Sequence, residues 1–323
     1  VKRRHFLLLS AGLLAGCQPG RSASSHFAMT LGGAYSAALS ENGRLGLIGS
    51  IEHGASLWDL RQAERLFDWN HQANQITEVT HAGFSPDGDF AVTATPIELA
   101  LWQTSNGQGL SFWRAPSEIL DLAVSTAGNF ALLGLASHEA VLFDVKNGGI
   151  RRTLAHPARV RSVALSRDNR LAVTGCDDYQ ARIWNLQTGE MIANQGFDNL
   201  VNCVAISPDS NSLFCSATLA QARILRSRDA ETLHALSGQE RFIKRRLSFL
   251  CARFSNDNQQ LLTGTASGSV LLWDVSSGAL LKQWQLTQQK SYGPVSTSVY
   301  DVAFASEGDY LAIGSNGLLN RFS

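Results

Sequence analysis

The residues able to do chemistry are spread thinly along this chain. Its eight histidines, at 5, 26, 53, 71, 81, 138, 156 and 234, never stand two at metal-ligand spacing within one predicted strand. The sequence holds no His-Glu-x-x-His, no Cys-x-x-Cys, no calcium-loop spacing and no glycine-rich phosphate loop. Asp177-Asp178 is the only adjacent carboxylate pair, and such a pair could do acid–base work. Besides Cys17 there are Cys176, Cys203, Cys215 and Cys251, which read as small buried fillers. Cys203 and Cys215 stand opposite each other in one predicted hairpin, so an oxidised pair is the alternative, although bridging directly paired strands strains the bond. The expectation is therefore no catalytic residue, no metal and no cofactor.

The N-terminus carries a different kind of chemistry. Lys2, Arg3 and Arg4 lead into an apolar stretch from Phe6 to Ala15. Those residues are too few to cross a hydrocarbon core of about 30 Å as a helix, so 1–16 is predicted to be a signal peptide. Leu14-Ala15-Gly16-Cys17 resembles a bacterial lipobox, which implies cleavage before Cys17 and lipid attached to it. Gln18 stands where the inner-membrane retention signal would have Asp. By that resemblance the protein belongs to the cell envelope, facing the periplasm from the outer membrane, with the inner membrane as the alternative. Arg3-Arg4-His5-Phe6-Leu7 resembles a twin-arginine export motif, and an ordinary basic region accounts for it equally well. Residues 17–25 read as lipidated Cys plus a flexible tether spanning roughly 15 Å, and 26–323 as the folded body.

That body must be built from a repeat. Turn serines recur at Ser40, Ser85, Ser125, Ser166, Ser207 and Ser255, with Ala305 in the seventh place, at intervals of 45, 40, 41, 41, 48 and 50 residues. Each is flanked by short alternating apolar runs, and a period of about 40–45 residues with four such runs is a propeller blade. The unit from Val160 to Gln195 is the clearest, its runs bounded by Asp, Asn or Gly. Trp58, Trp102, Trp184 and Trp273 close third runs, with Phe143, Leu225 and Phe322 in the same slot. Trp69, Trp113 and Trp284 each follow by 11 residues.

These residues resemble the WD40 family. Trp58-Asp59, Trp273-Asp274, Trp184-Asn185 and Phe143-Asp144 stand where that family has its Trp-Asp pair. The resemblance implies an all-β, seven-bladed propeller of four antiparallel strands per blade. It also implies a hydrogen-bonded tetrad of His156, Thr174, Asp178 and Trp184, which other blades lack: Ser267 replaces the Asp, Pro96 precedes Trp102, and Cys215 takes a Ser position. The last unit supplies three strands, and 26–31 is expected to pair with Leu318–Ser323 to close the ring without an open edge. A six-bladed ring with a stray hairpin is the alternative.

Lys+Arg and Asp+Glu balance at 27 each, or 24 against 27 once 1–16 is removed, so no nucleic-acid partner is expected. In the family, partners dock on the face made by the d–a and b–c loops. Here that face would carry Glu52, His53, Glu98, His138, Asp177 and Tyr179, together with Phe242, Lys244, Arg245, Arg246 and Tyr292 on two long d–a connections. The expected function is a non-enzymatic, membrane-anchored protein-interaction scaffold with an unknown protein partner. The alternative is a ligand- or glycan-binding, or hydrolytic, propeller working at the channel mouth.

Overall fold

The computed structural model describes residues 21–72, 75–219, 221–236, 247–288, 297–305 and 308–323. Cys17, Phe242, Lys244, Arg245, Arg246 and Tyr292 lie outside the described residues.

Seven four-stranded antiparallel sheets form a ring. Blades 1–6 occupy 34–69, 81–114, 119–155, 160–196, 201–236 and 249–285, each a simple meander whose strands are called a to d from the channel outwards. Blade 7 takes strands a to c from 299–322 and its outermost strand from Ser25–Ala28. Phe27 pairs with Leu319 and Ala28 with Leu318, so the expected closure is present and the six-bladed alternative is excluded. The closing strand starts at Ser25, one residue before the predicted boundary. Residues before it are also docked: Arg21 exchanges backbone hydrogen bonds with Gln283 and Gln285 of blade 6.

The repeated serines explain why the chain turns where it does. Each of the six accepts the N–H of the residue five positions on, at 2.9–3.0 Å. Five of them also donate to an Asn or Asp two positions on, at 2.5–2.9 Å. The hydroxyl thus pins the first N–H of strand b in a buried turn, where it would otherwise lack a partner. The acid after the aromatic does the equivalent job at the next corner. One Asp144 oxygen accepts the N–H groups of Lys146 and Asn147, as Asp59 does for Arg61 and Gln62. Arg151 forks onto the other Asp144 oxygen, and these contacts hold this buried carboxyl down at about 2 despite its burial.

Apolar side chains pack between blades. Leu132, Ala140 and Leu154 of blade 3, for example, share one cluster with Val160, Val163 and Trp184 of blade 4. Gly175 near the end of a b strand permits this closeness, since a Cβ there would come within 2.7 Å of the Val201 carbonyl in the next blade. The outer tryptophans tie blades together by another route. Trp69 and Trp113 donate to Gly107 and Val145 in the c–d turn of the following blade. Trp284 has no acceptor among the described residues, because blade 7 draws its strands c and d from opposite ends of the chain and has no such turn.

Candidate interaction face and central channel

The a strands line a central channel with a cavity of about 550 Å³. As inner edge strands they leave backbone N–H groups unpaired, and in three of them the third residue, Asp121, Ser162 or Asp301, accepts such a group. Asp121 accepts the N–H of Leu122 and of Val163 in the next blade, each at 2.8 Å. Asp301 accepts from Val302 and, across the blade 7–1 joint, from Leu39 at 2.7 Å. Arg253 of blade 6 pairs with the same carboxylate at 3.0 Å. Ser162 accepts the Val204 N–H of the next blade, whereas Ser36 donates its hydroxyl to the Val79 carbonyl. Burial, reinforced by the charge of Asp301, pushes the Asp121 carboxyl up to about 6. Burial also raises Asp301, while Arg253 pulls it back.

At the a–b end, Arg167 of blade 4 reaches Glu41 of blade 1 at 2.5 Å and Asn256 of blade 6 at 2.6 Å. That side chain bridges the mouth. The four cysteines within the described residues are free and buried. Burial pushes the Cys215 thiol up to about 12 and those of Cys203 and Cys251 well above the usual range, so none is poised as a nucleophile.

Blade 4 contains a directed chain of hydrogen bonds. His156 Nδ1 faces the Leu154 carbonyl at 2.9 Å and must donate to it. Nε2 therefore accepts the Thr174 hydroxyl proton at 2.8 Å, and Thr174 in turn accepts the Trp184 indole N–H at 2.9 Å. Burial first, and then the nearby Arg182, lowers His156 to about 4. Asp178 stands apart from this chain: its carboxylate is forked by Arg182 at 3.0 and 2.5 Å. Thus three of the four residues are joined and the fourth is diverted to an ion pair.

Blade 2 repeats the arrangement, which the sequence reading missed. His71 Nε2 lies 2.9 Å from Thr93 Oγ1, and Trp102 donates to that hydroxyl at 2.7 Å. The signal was obscured because the d–a loop is longer here and the b–c turn, Thr95 to Ile97 around Pro96, is of a different kind. Blade 6 keeps the Thr263–Trp273 bond at 2.9 Å.

Glu52, His53, Glu98, His138, Asp177 and Tyr179 all lie at the d–a/b–c end of the strands. Glu52, His138 and Tyr179 are exposed, while His53, Glu98 and Asp177 are half-buried. Asp177 is occupied by a forked contact from Arg161 at 2.8 and 3.1 Å. The third position of the b–c turn is Gly268 in blade 6 and Gly317 in blade 7, with φ +80° and +78°. His138 and Tyr179 hold that position at +70° and +68°, a conformation costly for a side chain with a Cβ.

Apolar exposure follows the same end. Leu31, Ile51, Ile76, Tyr179 and Leu219 are exposed in its loops, with Tyr35 and Leu250 beside the channel mouth. The other exposed large apolar residues are on outermost strands, and none among the described residues lies in an a–b or c–d turn. Leu31, Ile51, Ile76 and Leu219 were not predicted as face residues. An apolar side chain inside an otherwise polar predicted loop was the signal available.

Two segments, 148–185 and 232–274, match the family model for the WD40 repeat (WD domain, G-beta repeat). Each runs from strand d of one blade through strands a to c of the next, the same offset that makes Ser25–Ala28 complete blade 7. No curated protein matches the chain. The two repeat matches and the seven-bladed ring together support placing this protein among the WD40 β-propellers.

Proposed function

We propose that the protein is a non-enzymatic interaction scaffold of the bacterial cell envelope, held by lipid on Cys17, whose partner docks on the d–a/b–c face. The observation that carries the docking face is its asymmetry: among the described residues, loop-borne apolar side chains gather at one end of the ring and not at the other. Tyr179 adds weight, being about half exposed in a left-handed backbone position that glycine fills in two other blades. The anchor rests on the lipobox at 14–17, and metabolic labelling with a fatty acid, lost in Cys17→Ser, tests it. The scaffold reading is preferred to a hydrolytic one because, of the three carboxylates lining the channel, Asp121 and Asp301 are held by backbone N–H groups of their own and the adjoining blade and Glu41 is paired with Arg167.

A photo-crosslinking residue at Ile76 should yield discrete adducts in intact cells, and one at Asp168 on the opposite face should not. Equal adducts, or none at Ile76, would remove the docking face. Tyr179→Gly should lose those adducts while leaving stability unchanged or raised by up to ~1 kcal/mol, since left-handed strain is relieved.

A further inference from the structure

Outermost strands of a propeller are open sheet edges, yet one of them here is partly covered. Arg21 donates its N–H to the Gln283 carbonyl and accepts that of Gln285, both at 3.2 Å, running parallel to strand d of blade 6. Ala23 packs into the apolar cluster that includes Trp284 and Phe322. Ser24 then donates through both its N–H and its hydroxyl to the Arg321 carbonyl, at 2.8 and 2.9 Å. Among the described residues the Arg21–Trp284 pairing is the only isolated bridge, so the chain entering the ring is fixed along the outer edge of blade 6 before it joins blade 7.

Three residues, and hence four Cα–Cα steps, separate Cys17 from Arg21. At 3.8 Å per step they reach about 15 Å at full extension, whatever their conformation. A lipid on Cys17 therefore brings the outer edge of blade 6 to the bilayer surface. The residues waiting there suit it. Leu280 and Leu281 are exposed on the same strand, four and three residues from Trp284, or about 10–13 Å along it. Leu233 is exposed on the outermost strand of blade 5. The strand reads Leu-Leu-Lys-Gln-Trp-Gln, with one cation and no acid. Blade 1 has Glu-Arg-Leu-Phe-Asp-Trp in the same place, with two acids. Lys282 lies over the Trp284 and Tyr310 rings and forms no ion pair among the described residues, so its ammonium is available to headgroup phosphates.

We propose that blade 6 is the membrane-facing edge of the propeller, so that the ring stands edge-on with its axis along the bilayer plane. This rests on the reading of Cys17 as the lipid-bearing residue. It adds an orientation: the d–a/b–c face looks sideways along the membrane, where a neighbouring envelope protein meets it, and is neither pressed on the bilayer nor turned squarely away.

The test uses the full lipidated protein on phosphatidylethanolamine/phosphatidylglycerol vesicles containing a nitroxide-labelled lipid. A fluorophore is attached at Leu281→Cys or, in a second protein, at Phe112→Cys on blade 2 across the ring. The native cysteines of the body are buried and stay unlabelled. Quenching at 281 and not at 112 is expected, with Leu280→Cys repeating the result should the first variant fold poorly. Equal quenching at both sites, or at neither, while the protein still floats with the vesicles would overturn the orientation and leave the anchor standing. Failure to float would overturn both. Arg21→Pro removes the N–H given to Gln283, and should reduce quenching at 281 without loss of flotation.

Discussion

At the scale of single residues, two buried groups couple the fold to pH on the acid side of neutrality, with opposite sign. Burial holds His156 down at about 4 in the folded protein against 6.5 for an ordinary histidine, so the folded state excludes a proton that the unfolded chain binds. Its neutral form contributes stability above about pH 6.5 that is lost as the pH falls towards 4. Asp121 is the reverse: burial raises it to about 6 from 3.8, so its ionisation destabilises the fold above pH 6, and acidification relieves this. Each shift corresponds to roughly 3 kcal/mol at most. Urea unfolding at pH 7 and pH 5 should show His156→Gln losing less stability on acidification than the parent. Asp121→Asn should lose more. Slopes that move together, or not at all, would refute the assignment of these two groups.

At the scale of elements, the recurrent turn explains more of the fold than the tryptophans do. A hydroxyl that accepts a buried N–H five residues on is what makes strands a and b turn sharply. In Ser207→Ala the N–H of Ser212 loses its acceptor, and Asp209 loses the short hydrogen bond, 2.6 Å, that helps to hold its carboxyl low. A loss of about 1–3 kcal/mol is expected in chemical denaturation. A Ser207→Thr change that keeps the hydroxyl should restore most of it. An alanine variant as stable as the parent would mean that the serine is incidental. These turns were legible because Ser-x-Asp is local chemistry. The His71–Thr93–Trp102 chain was not, because its members are brought together by a loop length that differs from blade to blade.

At the scale of the whole molecule, stability depends on joining the two ends. Ser25–Ala28 supplies the last strand of blade 7, and Met29 just beyond it is almost fully buried against blades 7 and 1. A chain beginning after Leu31 would expose the outer edge of Leu318–Phe322 and forfeit Met29, worth about 1.5–3 kcal/mol by itself. It should melt well below the parent and aggregate. A circular permutant joining Ser323 to Ser24 by a short turn, and opened in a d–a loop, should regain the parent's melting temperature. That turn would also offer an acceptor to the Trp284 N–H, which has none among the described residues. A permutant no more stable than the truncated chain would show that the seam is not where the ring is held.

What the sequence by itself determined was everything carried by period and local chemistry: seven units, the strand order within each, the phase of the aromatics, and a closing strand from the N-terminal side, which ends at Ala28 and not at 31 as expected. These follow from interactions over a few residues, or from counting. Only the tertiary structure decided what distant residues do to one another. Asp178 turns to Arg182 rather than joining His156, because the arginine two positions into strand c lies within bonding range of its carboxylate. Asp121 and Asp301, ordinary strand residues in the sequence, become inter-blade latches because adjacent inner edges meet only when the ring closes. The apolar end of the ring, and the docking of Arg21 on blade 6, depend on the same closure. It brings residues hundreds of positions apart to one surface, and no local pattern records that.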